Sequence, residues 1–222
     1  MRKHRPLVGW PMRDSKRHRF SIPNEVWAHK LRPIEFMIFS YLCYCQSHNP
    51  LGDLTLEMIT NSVHTTVNTA KKYIESLIRK GLITSGWSLT SSLQCSSYKY
   101  FFTLPNEIFL LNLPPSAFMV YAYLLLIEER KTHTCHPSYN TIAATTGLSK
   151  NTALKSISIL LETGLITAEP SSYFDKCGMK WKGNNLYTIC PIRLAVDNFY
   201  QQQLRKLELD IAKSHLAARS AV

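Results

Sequence analysis

The stretch "LSKNTALKSISILLETGLIT", residues 148–167, begins with polar residues and lysine, becomes apolar, and reaches a glycine near its end. Residues 65–84, "TTVNTAKKYIESLIRKGLIT", follow the same outline, with Asn-Thr-Ala at the same place. Each stretch ends at a glycine suited to a helix C-terminus, Gly164 or Gly81. Each also places three apolar residues four and three positions apart, the spacing of one helix face: Ala70, Ile74, Leu77 and Ala153, Ile157, Leu160. The sequence therefore predicts one amphipathic helix, present twice.

Two further blocks repeat in the same order along the chain. "FSIPNEV" at 20–26 returns as "FTLPNEI" at 102–108, and "LRPIEFMIFSYL" at 31–42 returns within "LNLPPSAFMVYAYL" at 111–124. The third block is offset by one residue more than the first two, which indicates an insertion in a loop of the second copy. Self-similarity of this kind indicates a repeated structural unit. We interpret the chain as a duplicated domain.

The local signals within each copy follow the same order. A long apolar helix comes after the Pro-Asn-Glu segment, at 34–44 in the first copy and at 116–129 in the second, with a proline at its start. A shorter helix begins at Thr55 or Ser138, both of which are good N-cap residues. A tight turn then leads to the helix described above.

The turn and a β-hairpin complete each unit. The second copy has Gly147 in the turn, which adopts a positive φ freely, whereas His64 in the first copy does so at a higher cost. After each helix "LIT" starts a strand, and a second strand is predicted to return at 98–104 or at 185–190. This order is typical of a winged helix-turn-helix. The predicted fold is mainly α with small β-hairpin wings: tandem duplicated winged helix-turn-helix domains plus a C-terminal helix.

The repeat divides the chain into four segments: a basic N-terminal arm at 1–19, a first winged helix-turn-helix domain at 20–101, a second at 102–190, and a C-terminal helix at 191–222. Apolar residues of the last segment form one seam at helical spacing: Tyr200, Leu204, Leu207 and Ile211. Such a seam fits a homodimer through the C-terminal helix, and it fits equally well packing back against the second wing domain.

The charge of the chain favours a polyanionic partner. Lys and Arg number 26 against 15 for Asp and Glu, so that the formal net charge is +11, and the pI is about 9.4. Nucleic acid is the first candidate and an anionic membrane surface the second. The longest apolar stretch, at 118–127, is about half the length that a bilayer crossing needs. We expect a cytoplasmic, nucleoid-associated protein without a membrane partner.

Signals for catalysis and for bound groups are weak. The chain has no phosphate-binding loop of the G-x-x-x-x-G-K-[ST] or G-x-G-x-x-G type, no G-x-S-x-G elbow and no H-E-x-x-H pair. Its six cysteines show no C-x-x-C pair, and "HTCH" at 133–136 fits a loop entering a helix better than a metal site. We expect no enzymatic activity, no cofactor or metal, and no small-molecule ligand.

The first turns of the two repeated helices carry the candidate recognition residues. In a winged helix this helix enters the major groove with its N-terminal residues against base edges. Asn can bond adenine N6 and N7 together, Lys can reach guanine or phosphate, and Thr can contact a thymine methyl. The candidates are Thr66, Asn68, Thr69, Lys71 and Lys72 in the first copy, and Ser149, Lys150, Asn151, Thr152 and Lys155 in the second.

Basic residues in the second wing and in the arm extend this surface. The wing at 173–185 carries Lys176, Lys180 and Lys182, which could contact the phosphate backbone, whereas the first wing at 84–100 has one lysine. The arm could lie in a minor groove or along phosphates. Its cationic residues are Arg2, Lys3, Arg5, Arg13, Lys16, Arg17 and Arg19.

The second copy, "CHPSYNTIAATTGLSKNTALKSISILLETGLI" at 135–166, resembles a bacterial helix-turn-helix family of plasmid, phage and integrative-element proteins, and more loosely the N-terminal domain of DnaD-type primosome proteins. The segment at 102–126 resembles that family's usual opening, and 186–208 resembles the tail of its firmicute mobile-element members. The first copy is less similar and departs at His64. The resemblance implies duplex DNA binding through Ser149, Lys150, Asn151, Thr152 and Lys155.

Three functions fit these observations. A sequence-specific transcription regulator would recognise one or two operator-like sites, and a replication initiator of a plasmid or integrative element would recognise several direct repeats. In the third, the winged helices bind proteins and the positive charge serves solubility. We favour a non-enzymatic protein with tandem winged helices that binds double-stranded DNA sequence-specifically and acts as a transcription regulator of a bacterium or a mobile element. The second copy is the better candidate for DNA binding, because its wing is basic.

Overall fold

The structure, a computed structural model, describes residues 18–48, 54–83, 99–174 and 177–220. The first copy contains β1 (Arg19–Pro23), a 3-10 helix (Asn24–His29), α1 (Pro33–His48), α2 (Leu56–Val63) and α3 (Val67–Arg79). The second contains β2 (Phe101–Pro105), a 3-10 helix (Asn106–Leu111), α4 (Pro115–Ile127), β3 (Thr134–Cys135), α5 (Tyr139–Thr146), α6 (Lys150–Glu162), β4 (Ile166–Glu169), β5 (Ser172–Phe174), β6 (Lys180–Lys182) and β7 (Leu186–Ile189). Helix α7 (Ile192–Ser220) follows. The protein is thus mainly helical with small antiparallel sheets, as predicted for a winged-helix architecture.

The helix starts lie where the capping residues predict them. Thr55 and Ser138 accept hydrogen bonds from backbone amides of the first turns of α2 and α5, at 3.2 and 3.0 Å. Thr66 and Ser149 do the same for α3 and α6, at 3.3 and 3.1 Å. Such caps satisfy amides that have no partner within the helix. The two copies therefore define their helices by the same local chemistry.

The turns between the second and third helices confirm the predicted backbone conformation. Gly147 has a φ of 68° and His64 a φ of 50°, so both lie in the left-handed region. At the ends of α6 and α3, Gly164 and Gly81 have φ values of 73° and 69°. The histidine adopts a conformation that a side chain disfavours, whereas the glycine at the equivalent position does not incur this cost.

The second wing forms as predicted. β4 and β7 pair antiparallel, with Ile166 opposite Ile189, and β3 pairs on the other side of β7. Further out, β5 pairs with β6 to extend the hairpin. Residues 175 and 176 near its tip lie outside the described residues.

The strand predicted at 98–104 differs from expectation. It begins at Phe101, and its partner among the described strands is β1. Its alternating residues Phe102 and Leu104 are buried, as are Phe20 and Ile22 of β1, so the pairing buries apolar residues of both copies together. Residues 84–98, which hold most of the predicted first wing, lie outside the described residues.

The buried apolar residues of both copies form one core. The cluster extends from Phe20 in β1 through α1 and α3 to α4, α6 and the start of α7. Phe36 in α1 meets Phe118 in α4 edge to face, with ring centroids 6.1 Å apart. The predicted apolar faces of α3 and α6 are confirmed, since all six residues of the two stripes are buried. The most buried side chains of the two copies thus pack together in a single core.

Between residues 192 and 214, where burial is described, helix α7 is anchored at its start. Ile192 and Ala195 are buried, and Phe199 is partly buried against the core. All residues from 200 to 214 are exposed, so the predicted seam does not pack back on the described part of the second copy. Within the described ranges, no helix is both long enough and apolar enough to cross a membrane.

Candidate nucleic-acid interface

The N-terminal turn of α6 presents polar groups to solvent. Lys150, Asn151 and Lys155 are exposed, while Ala153 of the same helix is fully buried. The helix is held against α4 and α5, so these three side chains project from a rigid element. This arrangement suits recognition of base edges, because it fixes where each polar group lies.

The hydroxyls of Ser149 and Thr152 have a local role. Ser149 Oγ accepts a hydrogen bond from the Thr152 amide at 3.1 Å, and the two hydroxyl oxygens lie 2.8 Å apart. Thr66 and Thr69 repeat both contacts at the start of α3, at 3.3 and 2.9 Å. The hydroxyls of these four serine and threonine residues thus bond within the helix starts. The longer side chains of the candidate asparagines and lysines reach further from the helix.

Helix α3 presents a related surface. Asn68, Lys71 and Lys72 are exposed, and Asn68 and Lys72 occupy the positions of Asn151 and Lys155 in the repeat. The ammonium of Lys72 lies 5.9 Å from the centre of the Tyr73 ring, a distance at which the ring face attracts a cation. The structure therefore places the predicted residues of each copy together on one exposed helix start.

A polar groove lies beside the α6 candidates. It has a volume of about 280 Å³ and is lined in part by Tyr139, Asn140, Lys150 and Asn184. Asn184 donates a hydrogen bond to the His136 carbonyl at 3.2 Å, which ties the base of the wing to the loop before α5. Phosphate contacts in protein–DNA complexes come from such amide, hydroxyl and lysine groups.

The groove residues outside α6 were missed by sequence reasoning. Asn184 and Asn185 belong to the wing at 173–185, whose predicted DNA contacts are its lysines. Asn185 donates to the Tyr139 hydroxyl at 3.1 Å, which fixes both side chains in the groove wall. Burial raises the pKa of Tyr187, behind them, far above its usual range, and the Tyr139 hydrogen bond adds to the effect. Tyr187 thus contributes a neutral wall. The available signal was the pair of asparagines after a glycine.

The predicted wing lysines are only partly described. Lys180 and Lys182 belong to β6, which pairs with β5 beyond the groove. Lys176 lies outside the described residues. The backbone therefore places two of the three lysines on the extended hairpin of the second copy.

Arg19 is separate from the other arm residues. It belongs to β1, where its guanidinium donates hydrogen bonds to the side chain and the carbonyl of Thr103, at 2.9 and 2.7 Å. These contacts join the two copies. The remaining predicted arm residues lie outside the described residues: Arg2, Lys3, Arg5, Arg13, Lys16 and Arg17.

Three of the described cysteines, Cys45, Cys135 and Cys190, lie in surroundings that favour the thiol. Burial, followed by the negative charge of Glu128, raises the pKa of Cys135 to about 12. Burial also raises the pKa values of Cys45 and Cys190. Across the parts of the chain that the structure describes, no group of three or more His, Cys, Asp or Glu side chains could hold a metal ion.

Comparison with known proteins identifies the helix-turn-helix independently. The sequence profile of a family described as "Helix-turn-helix domain" matches residues 111–166, which span α4, α5 and α6. Among solved structures, the chain is similar to one described as "Possible transcriptional regulator from Methanosarcina mazei Go1", with 17% identity and a TM-score of 0.33. That similarity covers 53% of this chain and 92% of the other. No curated protein sequence matches significantly. Residues 111–166 thus match a helix-turn-helix domain.

Proposed function

We propose that this protein is a sequence-specific double-stranded DNA-binding protein with tandem winged helices, acting as a transcription regulator of a bacterium or of a bacterial mobile element. The main support for the proposal is that the first two turns of α6 expose Lys150, Asn151 and Lys155, within the segment that matches the helix-turn-helix profile. The four segments defined by the sequence repeat are its proposed domains. Bound to such DNA, the protein would be associated with the nucleoid in the cytoplasm.

The proposed chemistry divides between base recognition and phosphate attraction. The Asn151 amide suits adenine N6 and N7, and Lys150 and Lys155 suit guanine O6 and N7 or a phosphate oxygen. The wing lysines, the arm and the groove beside α6 supply sequence-independent contacts. The net charge of +11 strengthens these contacts and makes binding dependent on salt.

Selection of bound fragments from a random duplex library, at roughly physiological salt, tests the proposal. Non-specific phosphate attraction is weak under these conditions, so we expect one enriched motif. The triple variant Lys150→Ala/Asn151→Ala/Lys155→Ala should lose that enrichment and bind the recovered motif at least about 100-fold more weakly.

The control removes the same two charges elsewhere. Lys206→Ala/Lys213→Ala changes exposed residues of α7 and should leave the motif and its affinity unchanged. If the wild-type chain enriched no motif, the proposed function would be wrong. Recovery of unenriched DNA would then indicate a non-specific binder, and recovery of no DNA a protein-interaction role. Several direct copies of the motif in one natural target would point to replication initiation instead of transcription regulation.

We also propose that α7 forms a homodimer. Its seam residues Tyr200, Leu204, Leu207 and Ile211 are between 50% and 58% exposed, and their spacing suits pairing with an identical helix. Light scattering should give a mass of about twice the 25.5 kDa of the chain. Leu204→Glu/Leu207→Glu should return it to a monomer, while the Lys206→Ala/Lys213→Ala control stays dimeric. A monomeric wild-type protein at micromolar concentration would contradict the proposal.

A further inference from the structure

The two copies contact each other through equivalent positions. In the β1–β2 ladder, Ser21 lies opposite Thr103, and these are the same position of the repeat. On either side of them Phe20 lies opposite Leu104, and Ile22 lies opposite Phe102. An antiparallel ladder has a local two-fold axis perpendicular to the sheet. Here that axis exchanges Phe20 with Phe102 and Ile22 with Leu104, which are the equivalent residues of the two copies.

The aromatic contacts near this sheet follow the same two-fold symmetry. Phe20 of the first copy packs on Phe109 of the second, with ring centroids 5.8 Å apart. The equivalents of these two residues are Phe102 and Trp27, whose rings lie 6.2 Å apart. A contact between residue i of one unit and residue j of the other therefore recurs with the units exchanged. Reciprocal contacts of this kind define the interface of a two-fold symmetric dimer.

The first helices of the copies extend the symmetry into the core. Tyr41 meets Phe109 at 5.2 Å, and the equivalent pair, Tyr123 and Trp27, meets at 5.8 Å. Phe36 meets Phe118, its own equivalent, at 6.1 Å, as two residues beside a two-fold axis do. The chain therefore resembles a homodimer whose two subunits are joined in one polypeptide.

The symmetry reaches the recognition helices through the packing within each copy. α3 packs on α1 and α2, and α6 packs on α4 and α5. The axis that relates α1 to α4 therefore also relates α3 to α6. Two-fold related recognition helices match two half-sites of opposite orientation. We infer that one chain recognises an inverted repeat in duplex DNA, with α3 on one half-site and α6 on the other. This inference rests on the proposed function.

The residues at matched positions make this inverted repeat imperfect. Asn68 corresponds to Asn151 and Lys72 to Lys155, so these positions favour the same bases in both half-sites. Lys150, in contrast, corresponds to Val67, which offers an apolar group and is 45% exposed. The half-sites therefore share the bases that the matched asparagines and lysines contact. They differ at the base that Lys150 contacts.

The test uses duplexes of equal length built from the half-site that library selection recovers. One carries two half-sites inverted, one carries them in direct orientation, and one carries a single half-site with scrambled flank. Each arrangement is prepared over a series of spacings that covers one helical turn. Dissociation constants are measured by fluorescence anisotropy at concentrations below those at which α7 would pair. We expect the best inverted duplex to bind at least about 10-fold more tightly than the best direct duplex or the single half-site.

Two matched double variants show which of the helices α3 and α6 binds which half-site. Asn68→Ala/Lys72→Ala and Asn151→Ala/Lys155→Ala each remove the same exposed groups, one copy at a time. Each should reduce binding of the inverted duplex to the level of a single half-site and abolish hydroxyl-radical protection of one half only. Equal affinity for inverted, direct and single sites would overturn the inference and leave the proposed function standing. Failure to bind any recovered duplex would overturn both.

Discussion

The two copies of the repeat keep an exposed asparagine at the same place in their third helices but stabilise these helices differently. In the first copy, the carboxylate of Glu35 is almost fully buried, and both of its oxygens lie 2.9 Å from the Lys80 ammonium. In the second copy, Ala117 and Thr163 occupy these positions, and the Thr163 hydroxyl bonds instead to carbonyls of α6. Asn68 and Asn151, by contrast, are identical and exposed. The connection between α1 and α3 has thus diverged, while this exposed asparagine has been retained.

A substitution in the interface between the two copies should have the largest effect on the stability of the protein. Phe36→Ala removes a fully buried ring that contacts the opposite copy, and it should lower the free energy of unfolding by about 3–5 kcal/mol. Because both copies share one core, the urea transition should stay single. Phe199→Ala, at the partly buried start of α7, is the milder control. Two separate transitions in wild-type protein would show that the copies fold independently.

Loss of the Glu35–Lys80 ion pair of the first copy should have the second largest effect on stability. Lys80→Ala leaves the buried Glu35 carboxylate without its cation and should lower the free energy of unfolding by about 2–4 kcal/mol. The double variant Glu35→Ala/Lys80→Thr installs the residues of the second copy and should recover most of that loss. Urea denaturation of the single and double variants checks this. If the double variant were no more stable than Lys80→Ala, the pair would not explain the difference.

The recognition surfaces should differ by a smaller amount. Asn151→Ala should weaken binding to the selected motif by about 1–3 kcal/mol, and Asn68→Ala by less, because Val67 replaces the lysine beside it. Val67→Lys should narrow the difference and change the preferred base in that half-site. Anisotropy titrations with base-substituted duplexes measure both effects. Equal losses for the two asparagine variants would mean that the copies contribute equally.

The turn residues should give the smallest effect. His64→Gly removes a side chain from a left-handed position and should stabilise the protein by up to about 1 kcal/mol. Gly147→His should destabilise it by about 1–2 kcal/mol. Thermal denaturation of both variants provides the measurement. A destabilised His64→Gly protein would indicate that the imidazole makes a contact that outweighs the backbone cost.

The sequence predicts those features of this fold that depend on neighbouring residues. The caps Thr66 and Ser149, the left-handed turns and the buried helix faces follow from propensities and from spacing within a few residues. The exposed lysines and the asparagine of α6 follow in turn, because a buried stripe leaves the other face to solvent.

The features that the sequence did not predict depend on distant parts of the chain. Strand β2 could pair with a first-wing strand or with β1, and its alternation of apolar residues is the same in both cases. The engagement of Arg19 by Thr103 follows only from that pairing. The groove at Tyr139 and Asn184 likewise requires the loop before α5 to meet the wing, and no local pattern encodes such a contact.

Helix α7 continues from the second copy alone, although the two copies are otherwise related by symmetry. A homodimer on a palindrome is identical from either end and therefore has no left or right. This chain, on the imperfect repeat inferred above, would carry its 29-residue helix, about 44 Å long, on one defined side. The bound complex would then have a polarity, so that anything contacting α7 would approach the DNA from a direction set by the sequence of the site.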